Sequence, residues 1–168
     1  MRISVYIRPL KLDDAQTSYL WRNDSQVWLY TNFKAVGYIT KEQEKEWLRE
    51  KLTHNDEKRF AICVKELDTY IGNVQLLDIK DHHAELHLFI GNRLYWGKGI
   101  GYQATLLTAK YGFEKMDLDD IYLRVHPANV PALAIYEKAG FEISGKNEGL
   151  ITMHLTRDRF LKINTYTH

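Results

Sequence analysis

The stretch from Ala84 to Met116 restricts this chain more than any other. It opens as A-E-L-H-L-F-I-G, an apolar-rich alternation that predicts a strand. It closes as Y-Q-A-T-L-L-T-A-K-Y-G-F-E-K-M, with Ala104, Leu107, Tyr111 and Met116 on a helical spacing. Between them W-G-K-G-I-G places Gly97, Gly99 and Gly101 within five residues. Glycines let backbone come close to a ligand, and the free N–H groups of a first helical turn point at whatever binds there. Such a strand–glycine–helix junction predicts a pyrophosphate site. Two common phosphate patterns are excluded. Lys98 is followed by Gly99 rather than by Ser or Thr, and Tyr102 stands where a dinucleotide fingerprint needs its third glycine.

The rest of the chain reads as short elements. Ile3 to Leu10 alternates as a strand limited by Pro9. Asp13 or Asp14 caps a helix running to about Asn23, and a stretch dense in aromatics follows: Trp21, Trp28, Tyr30, Phe33 and Tyr38. Thr40 and Gln43 form a capping box for a surface helix whose thin apolar face is Trp47, Leu48 and Leu52. Residues 59–65, 70–79 and 83–90 make an antiparallel meander. After the glycine loop and its helix come a strand at 121–125, then a helix from the cap Asn129 to a left-handed stop at Gly140. Strands at 141–145 and 149–156 complete the order β-α-α-β-β-β-α-β-α-β-β. The polar tail from Arg157 has no assignable element.

The bulk properties bound the remainder. A chain of 168 residues predicts one domain, 1–168, with a core of its own. A net charge of +1 writes no preference for nucleic acid or a membrane surface into the total. The single Cys63 excludes an intrachain disulfide and reads as a small core or surface residue. M-R-I-S-V-Y-I-R lacks the apolar core of a signal peptide, so a cytoplasmic location is expected.

Trp96 to Gly101 resembles motif A of the GNAT acetyltransferases, [QR]-x-x-G-x-[GA], departing from it only where Trp96 replaces Gln or Arg. Y-W-G-K-G-I-G is the form typical of the branch similar to ribosomal-protein and amino-sugar N-acetyltransferases (RimJ/RimL-like). H-P-A-N-V-P-A-L-A-I-Y-E-K-A-G-F resembles motif B through Asn129, Leu133, Tyr136, Gly140 and Phe141. The element order agrees with the family to Thr156.

The resemblance implies an α/β (α+β) fold with a mixed, mostly antiparallel sheet of about seven strands and about four helices. It implies transfer of an acetyl group from acetyl-CoA, without a metal, to a primary amine by direct attack in a ternary complex. A protein N-terminus or an amino sugar is the foremost acceptor, with a polyamine or an aminoglycoside also open, and the enzyme is a monomer or homodimer. The alternative is a non-catalytic acyl-CoA-binding module.

Further implications concern single residues. Pantetheine lies between strands 84–90 and 121–125, bonded to the first as an added strand. A backbone N–H near Phe89, Ile90 or Gly91 faces the acetyl oxygen. The pyrophosphate rests on Trp96, Gly97, Lys98, Gly99, Ile100 and Gly101. Lys98 either pairs with a phosphate or is a solvated loop lysine. Asn129 caps its helix and bonds the pantetheine arm. Tyr136 is the acid that protonates the leaving thiolate, against a reading as a packed core tyrosine. Glu85 takes the amine proton, often through water, against a reading as a structural carboxylate. His83, Glu85 and His87 share one strand face, but alternate positions on one strand converge poorly on a metal. The segment 21–38 lies where the family binds its acceptor.

Overall fold

Alternating apolar residues divide the strands between two faces, and the two faces receive different helices. The computed structural model describes residues 2–31 and 33–165. Seven strands are present: β1 (Val5–Pro9), β2 (Lys58–Val64), β3 (Thr69–Lys80), β4 (His83–Ile90), β5 (Asp120–Val125), β6 (Glu142–Asn147) and β7 (Leu150–Thr156). They form one sheet in the order β1-β2-β3-β4-β5-β7-β6. Every neighbour pair is antiparallel except β4 with β5. The helices are α1 (Ala15–Arg22), α2 (Lys41–Lys51), α3 (Ile100–Lys115), α4 (Val130–Ala139) and α5 (Arg157–Thr165).

Phe60, Ile62, Val74, Leu76, Ala84, Leu86, Ile121, Leu123, Met153 and Leu155 belong to the main core with α3, α4 and Phe160 of α5. Full burial of an aliphatic side chain of this kind contributes about 1.5–3 kcal/mol. The alternate residues of β2, Ala61 and Cys63, are buried with Leu10, Ala15 and Leu48 under α1 and α2. Cys63 is thus a core residue.

The Thr40–Gln43 box forms as expected: Gln43 N–H donates to Thr40 Oγ1 at 3.1 Å and Thr40 N–H to Gln43 Oε1 at 2.8 Å. Asn129 Oδ1 accepts the Ala132 amide, and Gly140 is left-handed at φ 106°. Asp81 and His82, at φ 50° and 63°, turn β3 into β4.

Three expectations change. Asp14 does not cap α1; its carboxylate takes a two-pronged bond from Arg8 and one from the Lys11 amide, because a 3-10 turn (Leu12–Asp14) leads into the helix. The buried stripe of α3 is not that of Leu107, which faces outward. It is Ala104, Thr105, Thr108, Ala109 and Gly112, small residues that bring the helix close to the sheet. A Cβ at Gly112 would lie 3.0–3.3 Å from Leu118, Ile121 and Leu76. Finally, the described residues form five helices rather than about four. The tail forms α5 through Phe160, which packs on Phe113, and through Arg157 and Arg159, which donate to the Leu118 and Gly140 carbonyls. Its apolar face is too thin to read in sequence. Residues 166–168 of that tail lie outside the described residues.

Candidate active site

Strands β4 and β5 pair over three positions only, His83–Asp120, Ala84–Ile121 and Glu85–Tyr122. Beyond Glu85 they part, while β5 keeps β7 as its other neighbour along its whole length. The edge of β4 from Leu86 onward therefore faces a gap. Its parity follows from one bond: Gly91 N–H donates to the Ile71 carbonyl of β3 at 2.8 Å. Backbone groups alternate sides along a strand, so Phe89 also points toward β3, and Leu88 and Ile90 turn theirs into the gap. Of the three residues named from sequence, Ile90 is the one whose amide faces the gap. Leu88 was not foreseen; register parity is the signal that finds it. Gly91 serves packing instead, since a Cβ there would lie 1.9 Å from the Trp21 ring.

The chain then makes a 3-10 turn (Arg93–Tyr95) capped by Asn92, whose Oδ1 accepts the Leu94 amide. Trp96 closes the turn: its amide donates to the Arg93 carbonyl and its indole Nε1 to the Ile90 carbonyl at 2.8 Å. Both donors of Trp96 are thus spent within the protein, which leaves the amides from Gly97 onward. Gly97 and Gly99 are left-handed at φ 72° and 76°, and a Cβ at either would meet nothing within 4 Å. Gly99 is the cap position of α3 and brings no side chain to its first amides. Those donors lack helical acceptors. Lys98 is exposed and makes no ion pair among the described residues. This open, donor-rich, uncapped helix start fits the pyrophosphate of a coenzyme A thioester, and the gap beside Leu88 and Ile90 fits an amide-bearing arm. Ile100 anchors the junction in the core, and at Gly101 a Cβ would lie 3.0 Å from Ile135 of α4 and 3.5 Å from Leu88. Loop, strand edge and α4 therefore converge.

Tyr136 follows Ile135 on α4. It is buried, packs edge-on to Phe141, and its hydroxyl has no hydrogen-bond partner among the described residues. Burial pushes its pKa up to about 12. The hydroxyl is therefore a proton donor held unionised and uncommitted. Asn129 Nδ2 is likewise unpaired while Oδ1 caps α4.

On the opposite face of β4, Glu85 is 3% exposed at the last paired position. Its Oε1 accepts from His87 Nε2 at 2.5 Å and from Arg124 of β5 at 3.1 Å; Oε2 takes Arg124 at 3.0 Å. Burial pushes the carboxyl up, but the bonds from His87 and Arg124 outweigh it and hold the group below the usual carboxylate range. His83 goes elsewhere, to Asp120 Oδ2, which also accepts from His154. The three residues of the His83, Glu85, His87 face are thus split between two polar pairs.

The segment after α1 covers this side. Trp28 donates Nε1 to the Trp21 carbonyl and packs on Phe89 at 4.6 Å and Phe33 at 4.8 Å. Arg22, paired with buried Glu44, lies over Trp47 at 4.1 Å. Tyr30 reaches His126, beyond β5, at 5.7 Å. A concavity of about 590 Å³ opens within the segment, lined among others by Trp28, Phe33 and Tyr38; its charged lining residues are Arg22 and Lys34.

Residues 4–142 match the acetyltransferase (GNAT) domain. The chain belongs to the GNAT acetyltransferase family. It is an acetyl-CoA-dependent N-acetyltransferase, which sets aside the non-catalytic alternative. It is similar to the spermidine N(1)-acetyltransferase of Escherichia coli (strain K12), 31% identical over 150 residues that cover 85% of this chain and 75% of that protein. It is also similar to the uncharacterized N-acetyltransferase p20 of Bacillus licheniformis, 27% identical over 83% of this chain and 79% of that one. The crystal structure of spermidine N-acetyltransferase from Vibrio cholerae in complex with CoA and spermine shares the GNAT fold, with a TM-score of 0.83 at 24% identity over 94% of this chain and 98% of that one. No helix among the described residues is long and apolar enough to cross a membrane.

Proposed function

We propose that this GNAT enzyme acetylates a primary amine borne by an uncharged or anionic carrier, an amino sugar or a peptide N-terminus, as in the RimJ/RimL-like branch. The observation that carries this is the charge of the acceptor-side concavity. Its charged lining residues, Arg22 and Lys34, are both cationic; Glu44 matches Arg22, which leaves Lys34 as the lining charge without an ion pair among the described residues. A polycation would meet like charge there without a free carboxylate to offset it. Tyr38, exposed at its rim, offers a ring for a sugar or peptide group.

In this reading the thioester's pyrophosphate rests on the amides from Gly97 to Gly101, and its arm on Leu88 and Ile90. The amide of Ile90 then polarises the acetyl carbonyl. Tyr136 protonates the thiolate as the C–S bond breaks, and the amine proton leaves by way of the Glu85–His87 pair. A second reading, a polyamine acceptor, is favoured by the likeness to the Escherichia coli spermidine enzyme.

One acetyl-transfer screen separates them: nucleotide-linked amino sugars, peptide N-termini, spermidine and an aminoglycoside at matched concentrations. The proposal expects the first two classes to exceed spermidine in kcat/KM by about tenfold or more, about 1.4 kcal/mol of discrimination. It also expects Lys34→Glu to raise spermidine turnover relative to them. Spermidine as the preferred acceptor overturns it in favour of the polyamine.

A further inference from the structure

The Glu85 carboxylate cannot easily meet the incoming amine itself. It is almost wholly buried; Oε1 already accepts from His87 and Arg124, and Oε2 lies in ion-pair contact with Arg124. The group that reaches outward from it is His87. Its side chain is 45% exposed, and it lies two residues beyond the last β4–β5 pair, on the same strand face as Phe89, which touches the acceptor segment at Trp28.

The bond to Glu85 also fixes the imidazole's tautomer. A carboxylate only accepts, so the hydrogen sits on Nε2, and the neutral ring carries its lone pair on Nδ1. Nδ1 has no hydrogen-bond partner among the described residues. An imidazole with one nitrogen pinned to a buried carboxylate and the other free is the arrangement in which a histidine accepts a proton and the carboxylate stabilises the resulting cation. Arg124 keeps Glu85 from swinging away.

We propose that His87 is the residue that takes the proton from the acceptor's ammonium, through Nδ1, and that Glu85 acts as its positioning partner. This rests on the acetyl-transfer reading above but is independent of which amine is used. The step balances as follows. One ammonium proton moves to His87 Nδ1. The freed lone pair forms the N–C bond to the acetyl carbon, and the C–S bond breaks. Tyr136 gives its proton to the thiolate and regains one from the new amide nitrogen. His87 returns its proton to solvent, so one ammonium and one thioester yield one amide, one thiol and one released proton.

The test is His87→Gln, assayed beside wild type with the best amine of the screen, from about pH 7 to about pH 10. Glu85 on β4, Arg124 and Tyr122 on β5 and Asp78 on β3 are the ionisable groups nearby, and all remain in the variant. At about pH 7 kcat/KM for the amine should fall by ~10²-fold, with the KM for acetyl-CoA within about twofold of wild type. The deficit should shrink to about tenfold or less near pH 10, where the amine is already free. Glu85→Gln, which keeps shape and removes the charge, should show a smaller loss with the same trend, and carries the test if His87→Gln does not fold. A deficit constant across pH in both variants, or none, overturns the assignment. A wild type that acetylates no amine instead overturns the acetyl-transfer reading, a separate outcome.

Discussion

Trp96 donates its indole N–H to the Ile90 carbonyl at 2.8 Å, tying the glycine loop back to the end of the strand it leaves. In the proposed reading both ends of this bond flank the cofactor's path, since Ile90 carries an amide facing the gap and Trp96 precedes Gly97. The Trp96 ring is partly exposed, so water can replace the lost donor in Trp96→Phe. A small stability change is expected, about 0.5–1.5 kcal/mol, read as a shift of a few degrees in Tm. The larger effect should be a several-fold rise in the KM for acetyl-CoA. An unchanged KM would mean that the tie does not set the loop's position.

Gly99 separates two effects that a glycine usually confounds. At φ 76° a β-branched residue is strained, by about 1–2 kcal/mol, and its side chain would also project into open space beside the α3 amides. Gly99→Val should therefore lower stability and weaken acetyl-CoA binding by tenfold or more. Gly99→Asn tolerates the left-handed backbone, so it should keep most of the stability and still lose affinity. Calorimetric binding of acetyl-CoA next to a thermal melt reads both, and full affinity in both variants would move the pyrophosphate elsewhere.

Tyr136→Phe removes a hydroxyl that has no partner to strand. Stability at neutral pH should change little, while kcat falls by ~10²-fold or more with the KM for acetyl-CoA nearly constant. The pH dependence of stability gives a second readout. Burial raises the folded pKa to about 12, above the ordinary tyrosine value, so the unfolded chain releases this proton first. Stability should therefore drop as pH rises from the unfolded value toward the folded one. Tyr136→Phe should drop less steeply over that interval. Unchanged turnover would leave the ring as packing alone.

Arg124→Met removes the guanidinium partner of the buried Glu85 carboxylate and leaves the His87 bond in place. Wild-type Glu85 has a depressed pKa, so its contribution to stability is present above the unfolded carboxyl value and lost as pH falls through the folded one. The variant should be less stable than wild type near neutrality by about 1–3 kcal/mol, since Arg124 is half exposed and screened. That difference should narrow in acid as Glu85 protonates in both proteins. Denaturant melts at two pH values check it; a gap that persists in acid would put the effect in packing rather than charge.

Sequence made some positions legible because the demand on them is local. Gly99 and Gly140 stand where the backbone turns left-handed, and Thr40 with Gln43 is a cap whose atoms lie within four residues. The two faces of β2 follow from alternation alone. What sequence missed is set by partners far along the chain. Asp14 turns from capping to Arg8 because β1 lies beside it, and α5 exists because Phe160 finds Phe113. The exposure of the Leu88 backbone to the gap depends on one bond between Gly91 and Ile71 that fixes the parity of β4. The Glu85–His87 contact needed side-chain directions, which a shared face permits but does not dictate.

Three rungs join a wing of four strands to a wing of three, and the Arg124–Glu85 pair crosses just past the last of them. That pair sits like a wedge where the crack opens, joining β5 to β4 beyond their last backbone pair. The crack admits a guest about one strand thick, carrying donors and acceptors at peptide-like intervals. Preference for a slender amide chain over a bulky or purely hydrocarbon one thus follows from the backbone edges and the pair that spaces them. A guest that fills the crack also bridges the wings, and saturating it about a hundredfold over its Kd should stabilise the fold against unfolding by about 2.7 kcal/mol.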